Sequence, residues 1–136
     1  MQTVRLGRTN TEVSVAGLGC GGASRLGMAR GWDVHHAAGI VRRALDLGVS
    51  FIDTARAYGT EEAVGEGMAG RRGEVFLPTK ASPGRGQVGP PITAPELTES
   101  LDGSLRRLEP TTSTSSVCMA CSQASTTTAP RSWLPR

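Results

Sequence analysis

The stretch "FIDTARAYG" places an aspartate, Asp53, at the end of an apolar run and a tyrosine, Tyr58, five residues later. A second run, "EVFLPTK", ends on Lys80. If both runs are neighbouring parallel strands, the three side chains meet on one rim, the carboxyl edge where α/β folds build their sites. The chemistry would be proton transfer. A tyrosine is a poor donor at neutral pH because its ordinary pKa is about 10. A neighbouring ammonium lowers that value, and a carboxylate holds the ammonium in place. A strand-end salt bridge beside a surface tyrosine would explain any two of the three. Three at consecutive strand ends point to chemistry.

Other residues carry less. Gly17, Gly19 and Gly22 spell G-x-G-x-x-G. A dinucleotide fingerprint also needs a helix at its last glycines and an acid about 20 residues on. Here "ASRLGMARGWD" intervenes before the first helix, and Asp53 lies farther along than that spacing allows. The glycines read as a tight exit from a strand into a loop. His35 and His36 open a helix with no further ligand at metal spacing, so they read as exposed first-turn residues and no metal is expected. Cys20 reads as a small buried filler. Cys118 and Cys121 form C-x-x-C without the further ligands of a zinc site or the strand–helix context of a redox motif, and chance accounts for them.

The elements that must position Asp53, Tyr58 and Lys80 follow from the surrounding pattern. "TVRL" and "TEVSVA" flank the turn-rich "GRTNT", a β-hairpin within residues 1–16. "AGLGCGG" is a short strand running into a glycine loop. Val34 to Leu47 carries Ile40, Val41, Ala44 and Leu45 at helical spacing, with Asp33 to cap the start and Gly48 to stop the end. "VSFID" is a buried strand. A helix from Thr60 to Ala69 begins with a capping threonine and has Glu61 and Glu62 near the positive end of its dipole. "EVFLPTK" is the third strand, although Pro78 cannot donate to a ladder. After the loop "GRGQVGPP", Thr93 and Glu96 form a capping box, and Leu97, Leu101, Leu105 and Leu108 mark one helical face. A hairpin followed by β-α-β-α-β-α requires parallel strands, hence an α/β fold.

From Glu109 neither period persists. Twelve Ser or Thr in 28 residues, with one acid, predict a disordered tail over residues 109–136 after an ordered domain over 1–108. A chain of 136 residues has room for one domain. Its net charge of +3 comes from scattered arginines without interleaved aromatics, which gives no nucleic-acid face. No apolar run could span a bilayer and no signal-peptide core opens the chain. With three cysteines at unrelated spacings, the reading is a soluble, cytoplasmic protein.

At these residues the chain resembles the aldo-keto reductase family. "VRLGRTNTEVSVAGLGCGG" is similar to that family's opening, where a hairpin plugs the bottom of a (β/α)8 TIM barrel; "FIDTARAYG" is similar to its Asp-Tyr signature and "EVFLPTK" to its lysine strand. The resemblance covers residues 3–108 nearly continuously, with local departures at Pro78 and Asn10. The family's tetrad is Asp, Tyr, Lys and His, acting with a nicotinamide cofactor. The resemblance therefore implies Tyr58 as general acid, Lys80 as the group that tunes it, and Asp53 as the partner orienting Lys80. It also implies NADP or NAD as cofactor, bound at Gly22, Ala23 and Asp53, and a small-molecule carbonyl or sugar as substrate.

A full barrel needs about 250 residues. A hairpin and about three βα units make an incomplete one, and the strand that supplies the family's His does not follow Leu108. Loss of one G after the codon for Leu108 would turn Leu-Gly-Thr-Asp into Leu-Glu-Pro, as found at Leu108 to Pro110. The shifted frame permits "GTDYIDVFGLHGVLPGKYDHCAEVL", with the His codon straddling those for Cys118 and Met119. The expectation is a frameshifted tail on a truncated reductase that is inactive by itself. The alternative is a non-enzymatic fragment that self-associates through exposed sheet edges. A Rossmann dehydrogenase built on Gly17 to Gly22 is disfavoured by the misplaced acid and helix.

Overall fold

The computed structural model describes residues 1–82, 92–108 and 117–121, the last segment by its backbone pairing. The hairpin forms first in the chain. Strands β1 (Thr3–Arg5) and β2 (Glu12–Ser14) pair antiparallel, with Val4 opposite Val13. The turn between them uses Gly7 in the left-handed region at φ 55°, and Thr9 Oγ1 donates to Leu6 O at 2.7 Å. Ser14 and Ser50 clasp the hairpin to the rest of the chain. Each backbone N–H donates to the other's hydroxyl at 2.8 Å. Ser50 precedes β4, so the hairpin docks at the amino ends of the parallel strands, opposite the rim that carries the candidate site.

The alternation expected from the sequence follows. Strand β3 (Gly17–Gly19) leads through a turn at Arg25–Arg30 to helix α1 (Val34–Asp46). Asp33 caps α1 as expected, accepting from the His36 N–H at 2.8 Å, and Gly48 turns the chain at φ 83°. Ala37, Ala38, Val41 and Leu45 form its fully buried face, with Ile40 half-buried beside them. Strand β4 (Phe51–Asp53), helix α2 (Glu61–Gly67), strand β5 (Leu77–Ala81) and helix α3 (Ala94–Leu108) complete three βα units. The capping box of α3 is reciprocal: Thr93 N–H donates to Glu96 Oε2 at 2.7 Å, and Glu96 N–H to Thr93 Oγ1 at 3.5 Å. On α3, Ser100, Ser104 and Leu108 are fully buried, while Leu97, Leu101 and Leu105 are half-buried.

The strands run parallel in the order β3-β4-β5-β6. Gly17, Leu18 and Gly19 pair with Phe51, Ile52 and Asp53. Between β4 and β5, Phe76 N–H donates to Ser50 O, Ile52 N–H to Phe76 O and Thr54 N–H to Pro78 O. The rung missing from this ladder is the one in which residue 78 would donate to the Ile52 carbonyl. Proline has no N–H to give, so the pairing is regular only as far as Phe51 and Phe76.

Within the segment that composition reads as a tail, Val117–Cys121 form strand β6, parallel to β5, with Lys80 opposite Ala120 and Thr79 opposite Met119. Composition misses this strand because its pairing depends on an edge already formed by β5, and strand preference depends on such context. Cys118 and Cys121 stand opposite Pro78 and Ala81 in that register. The rest of 109–136 and the loop "GRGQVGPP" lie outside the described residues. The core gathers Cys20, Val41, Ile52, Ala63, Val64, Met68, Leu77 and Leu108 between sheet and helices. Burying each large aliphatic side chain there contributes roughly 1.5–3 kcal/mol.

Candidate active site

Asp53 is the last residue of β4, and Lys80 lies one residue before the end of β5. Adjacent parallel strands therefore carry both to the same edge. Lys80 Nζ donates to Asp53 Oδ1 at 2.5 Å and to Thr54 O at 3.1 Å. The two side chains are 27% and 35% exposed, so the pair stands at the rim, where water screens the attraction. Its main consequence is geometric: the ammonium is held in one place.

Tyr58 closes a single 3-10 turn, Arg56–Tyr58, stopped by Gly59 at φ 70°. This turn brings the ring to the ammonium, with Lys80 Nζ 5.2 Å from the ring centroid, within cation–π range. The ring also lies against Gly21, where a Cβ would stand only 2.9 Å from two ring carbons. The glycine that matters for close approach is therefore Gly21, which lies outside the G-x-G-x-x-G set. Gly22, at φ 71°, and Ala23 follow it on the exposed loop leaving β3, outside the Asp53–Lys80–Tyr58 contacts.

Cys20 is fully buried behind the rim, and its N–H donates to Asp53 O at 2.9 Å. Burial pushes its thiol up to about 12; the Asp53 charge adds to the rise and Lys80 opposes it. Cys20 is a buried filler, as expected. His35 and His36 are exposed at 77% and 68%, also as expected. Each finds an acid instead of a metal: His35 Nδ1 lies 2.8 Å from Glu66 Oε1, and His36 Nδ1 2.8 Å from Asp33 Oδ1. Hydrogen bonds from His35 and then Arg42 hold the Glu66 carboxyl below the usual carboxylate range. Among the described residues no group of His, Cys, Asp or Glu could hold a metal ion, and no helix is long and apolar enough to cross a membrane.

The sequence reading missed a polar layer behind the rim. Thr60 occupies the start of α2 without making a side-chain cap; its hydroxyl meets Thr54 Oγ1 at 3.3 Å. Glu61 stands at the positive end of α2, as expected, and is 1% exposed. It accepts from Thr79 Oγ1 at 2.7 Å and from Arg107 Nε and Nη2 at 2.9 and 2.7 Å. A signal was available: Glu61 shares the helical spacing i, i+3, i+4, i+7 with buried Val64, Gly65 and Met68. A groove of about 630 Å³ runs beside the rim between Arg56, Ala57 and the Glu99, Gly103 and Arg106 side of α3.

The model of the aldo/keto reductase family matches residues 18–123. The chain belongs to the aldo-keto reductase family. The match runs past Leu108 and takes in β6, extending the resemblance read from the sequence. Among curated relatives, the chain is 35% identical over 111 residues to L-galactose dehydrogenase of Arabidopsis thaliana, covering 76% of this chain and 33% of the relative. It is 34% identical over 119 residues to aldo-keto reductase YhdN of Bacillus subtilis, covering 80% and 35%. Among solved structures it superposes on aldo-keto reductase AKR11C1 from Bacillus halodurans with TM-score 0.61 and 31% identity, covering 79% of this chain and 36% of that one. The Bombyx mori aldo-keto reductase in complex with NADP gives 0.57 and 25%, covering 79% and 34%. The chain thus spans about a third of these relatives, and its fold is the matching part of their (β/α)8 barrel.

Aldo-keto reductases use a nicotinamide cofactor, and one of the similar structures is a complex with NADP. Gly22 leaves open space where a Cβ would stand, Ala23 is exposed beside it, and the Asp53 carboxylate lies at the end of the next strand.

Proposed function

We propose that this chain carries the proton-donating part of an aldo-keto reductase site, with Tyr58 as general acid, Lys80 as its electrostatic partner and Asp53 as the group that orients Lys80. The observation that supports this reading is the Lys80 ammonium, bonded to Asp53 and seated over the Tyr58 ring. Tyr58 Oη would give its proton to the oxygen of a small-molecule carbonyl, or take one from a sugar alcohol in the reverse direction. The ammonium would offset the phenolate charge left behind, and the carboxylate would keep the ammonium from following solvent. The hydride would be supplied or accepted by a nicotinamide, NADP or NAD, when one is bound. Gly22, Ala23 and Asp53 are the residues of this chain that would face it.

The same reading holds that the 136-residue chain is inactive alone. It spans about a third of its relatives, and the strand beside Lys80 carries Ala120 opposite it. The ordered reductase-like unit would be residues 1–108 together with β6, acting in the cytoplasm. The change of composition at Glu109 is proposed to be a reading-frame shift inside the family match. Sequencing the gene across codon 108 tests this, and finding no single-base change that reopens a long frame rejects it. For the inactivity, the purified chain is titrated with NADPH and NADH and assayed with carbonyl substrates. No saturable binding and no turnover are expected. Tight NADPH binding would overturn the proposal, and any turnover abolished by Tyr58→Phe would keep the roles while removing the inactivity.

A second reading is a non-enzymatic fragment that associates with copies of itself. It rests on the half-buried Leu97, Leu101 and Leu105 of α3 and on the few paired strands of an open sheet. Sedimentation at several concentrations separates the two: an invariant monomer rejects self-association.

A further inference from the structure

We propose that the buried Glu61 carboxylate, held by Arg107 and Thr79, is a positioning group that fixes Tyr58 and Lys80 relative to one another. Glu61 is the only charged residue among the fully buried described residues. A carboxylate removed from water stays charged only if its oxygens are engaged, and here both are: Oε1 by Thr79, Oε2 by two N–H groups of Arg107. Arg107 is itself steadied by Ser104, whose hydroxyl lies 3.4 Å from Nη2.

What distinguishes this network from an ordinary buried ion pair is where its members stand in the chain. Thr79 immediately precedes Lys80. Glu61 comes three residues after Tyr58. Thr60, next to Glu61, meets the hydroxyl of Thr54, which immediately follows Asp53. Side chains alternate along extended chain, so Thr54 and Thr79 turn into the helix layer while Asp53 and Lys80 turn to the rim. Every rim residue therefore has a chain neighbour, or near neighbour, tied to the first turn of α2. Besides that tie, the turn carrying Tyr58 meets β5 through the ring's contact with Lys80, and Thr54 before it bonds to Pro78 O and accepts from Lys80. Arg107 draws the end of α3 into the same arrangement, and this link lies just upstream of Glu109.

The inference rests on the assignment of Tyr58 and Lys80 as the site, but its test reads geometry and needs no turnover. Tyr58 is the only tyrosine in the chain, so its ring signals in an NMR spectrum report this one position. In the full chain, Glu61→Gln keeps the shape and removes the charge. The expected result is loss of the ring's cross-peaks to Gly21 and to the Lys80 methylenes, in a variant whose circular dichroism shows it folded. Unchanged cross-peaks would overturn the proposal. If Glu61→Gln does not fold, Thr79→Val decides, because it frees Glu61 from the Lys80 strand and leaves the Arg107 pair intact. Weakened cross-peaks support the proposal and unchanged ones reject it. Arg71→Gln, which breaks the exposed pairs with Asp46 and Glu74, is the control. Equal loss in that variant would mean a merely structural effect and would also reject it. The two readings fail separately: turnover that survives Tyr58→Phe would defeat the catalytic reading and leave the positioning role standing, whereas unchanged cross-peaks in Glu61→Gln would defeat the positioning role alone.

Discussion

Tyr58 can reach the Lys80 ammonium because Gly21 has no side chain to hold its ring away. A methyl at Gly21 would meet the far end of that ring, and the half-buried ring is freer to move than the backbone behind it. Gly21→Ala is therefore expected to change stability by less than about 1 kcal/mol while displacing Tyr58 from Lys80. Urea denaturation checks the first outcome and the lone tyrosine's NMR signals the second. Cys20 offers a separate test. With its thiol pushed up to about 12 from 9.0, the folded chain keeps a proton that the unfolded chain sheds. Its contribution to stability is complete below pH 9.0 and is lost as pH rises toward about 12. The stability gap between the chain and its Cys20→Ala variant, both lacking Cys118 and Cys121, should shrink across that window. In the same background, a thiol reagent should label Cys20 slowly until urea unfolds the chain. At this scale Asp53, Tyr58 and Lys80 were legible because Asp53 and Lys80 each close an apolar run and Tyr58 follows the first within five residues, where parallel α/β folds build their sites. The roles of Gly21 and Glu61 were not, because each is defined by a neighbour distant in sequence.

Helix α2 shows the same limit one level up. Its sequence, "EEAVGEG", is a weak helix former, since each glycine costs about 1 kcal/mol against alanine. The structure gives both glycines a reason. A Cβ at Gly67 would collide with the Val41 side chain of α1, and one at Gly65 with the backbone of Arg107 in α3. Helix α2 is wedged between its two neighbours. Overpacking costs about 1–3 kcal/mol, so Gly65→Ala and Gly67→Ala should each destabilise the chain despite the gain in propensity, as read from urea midpoints. Gly65 should be the worse, because a backbone carbonyl cannot swing aside. The elements themselves were largely readable: the Asp33 cap, the Thr93–Glu96 box and the 3.6-residue period of α1 are local signals. Thr60 misled for a physical reason. A threonine before a helix usually caps it, but here a buried hydroxyl from Thr54 was within reach and took the bond.

Across the whole molecule, protection should divide into two tiers. The amides of Ile52, Thr54 and Phe76 bond across the middle of the sheet, over a core containing Ile52, Leu77 and Met68. Strand β1 is exposed along its length, and the hairpin is tied in through the Ser14–Ser50 clasp. Hydrogen exchange is expected to be slow at the first set and fast at Val4 and Arg5, with Ser14→Ala loosening the hairpin while leaving the sheet amides slow. The sequence by itself determined the order of strands and helices as far as Leu108, the fold class, and the three rim residues, because periodicity, caps and strand ends are written within a few neighbouring positions. Only the tertiary structure decided that Gly21 lies under the Tyr58 ring, that Pro78 interrupts one rung, that Val117–Cys121 add a strand, and that Glu61 is buried between Thr79 and Arg107. Each of those depends on which atoms from distant parts of the chain arrive at the same place, and local pattern carries no record of that.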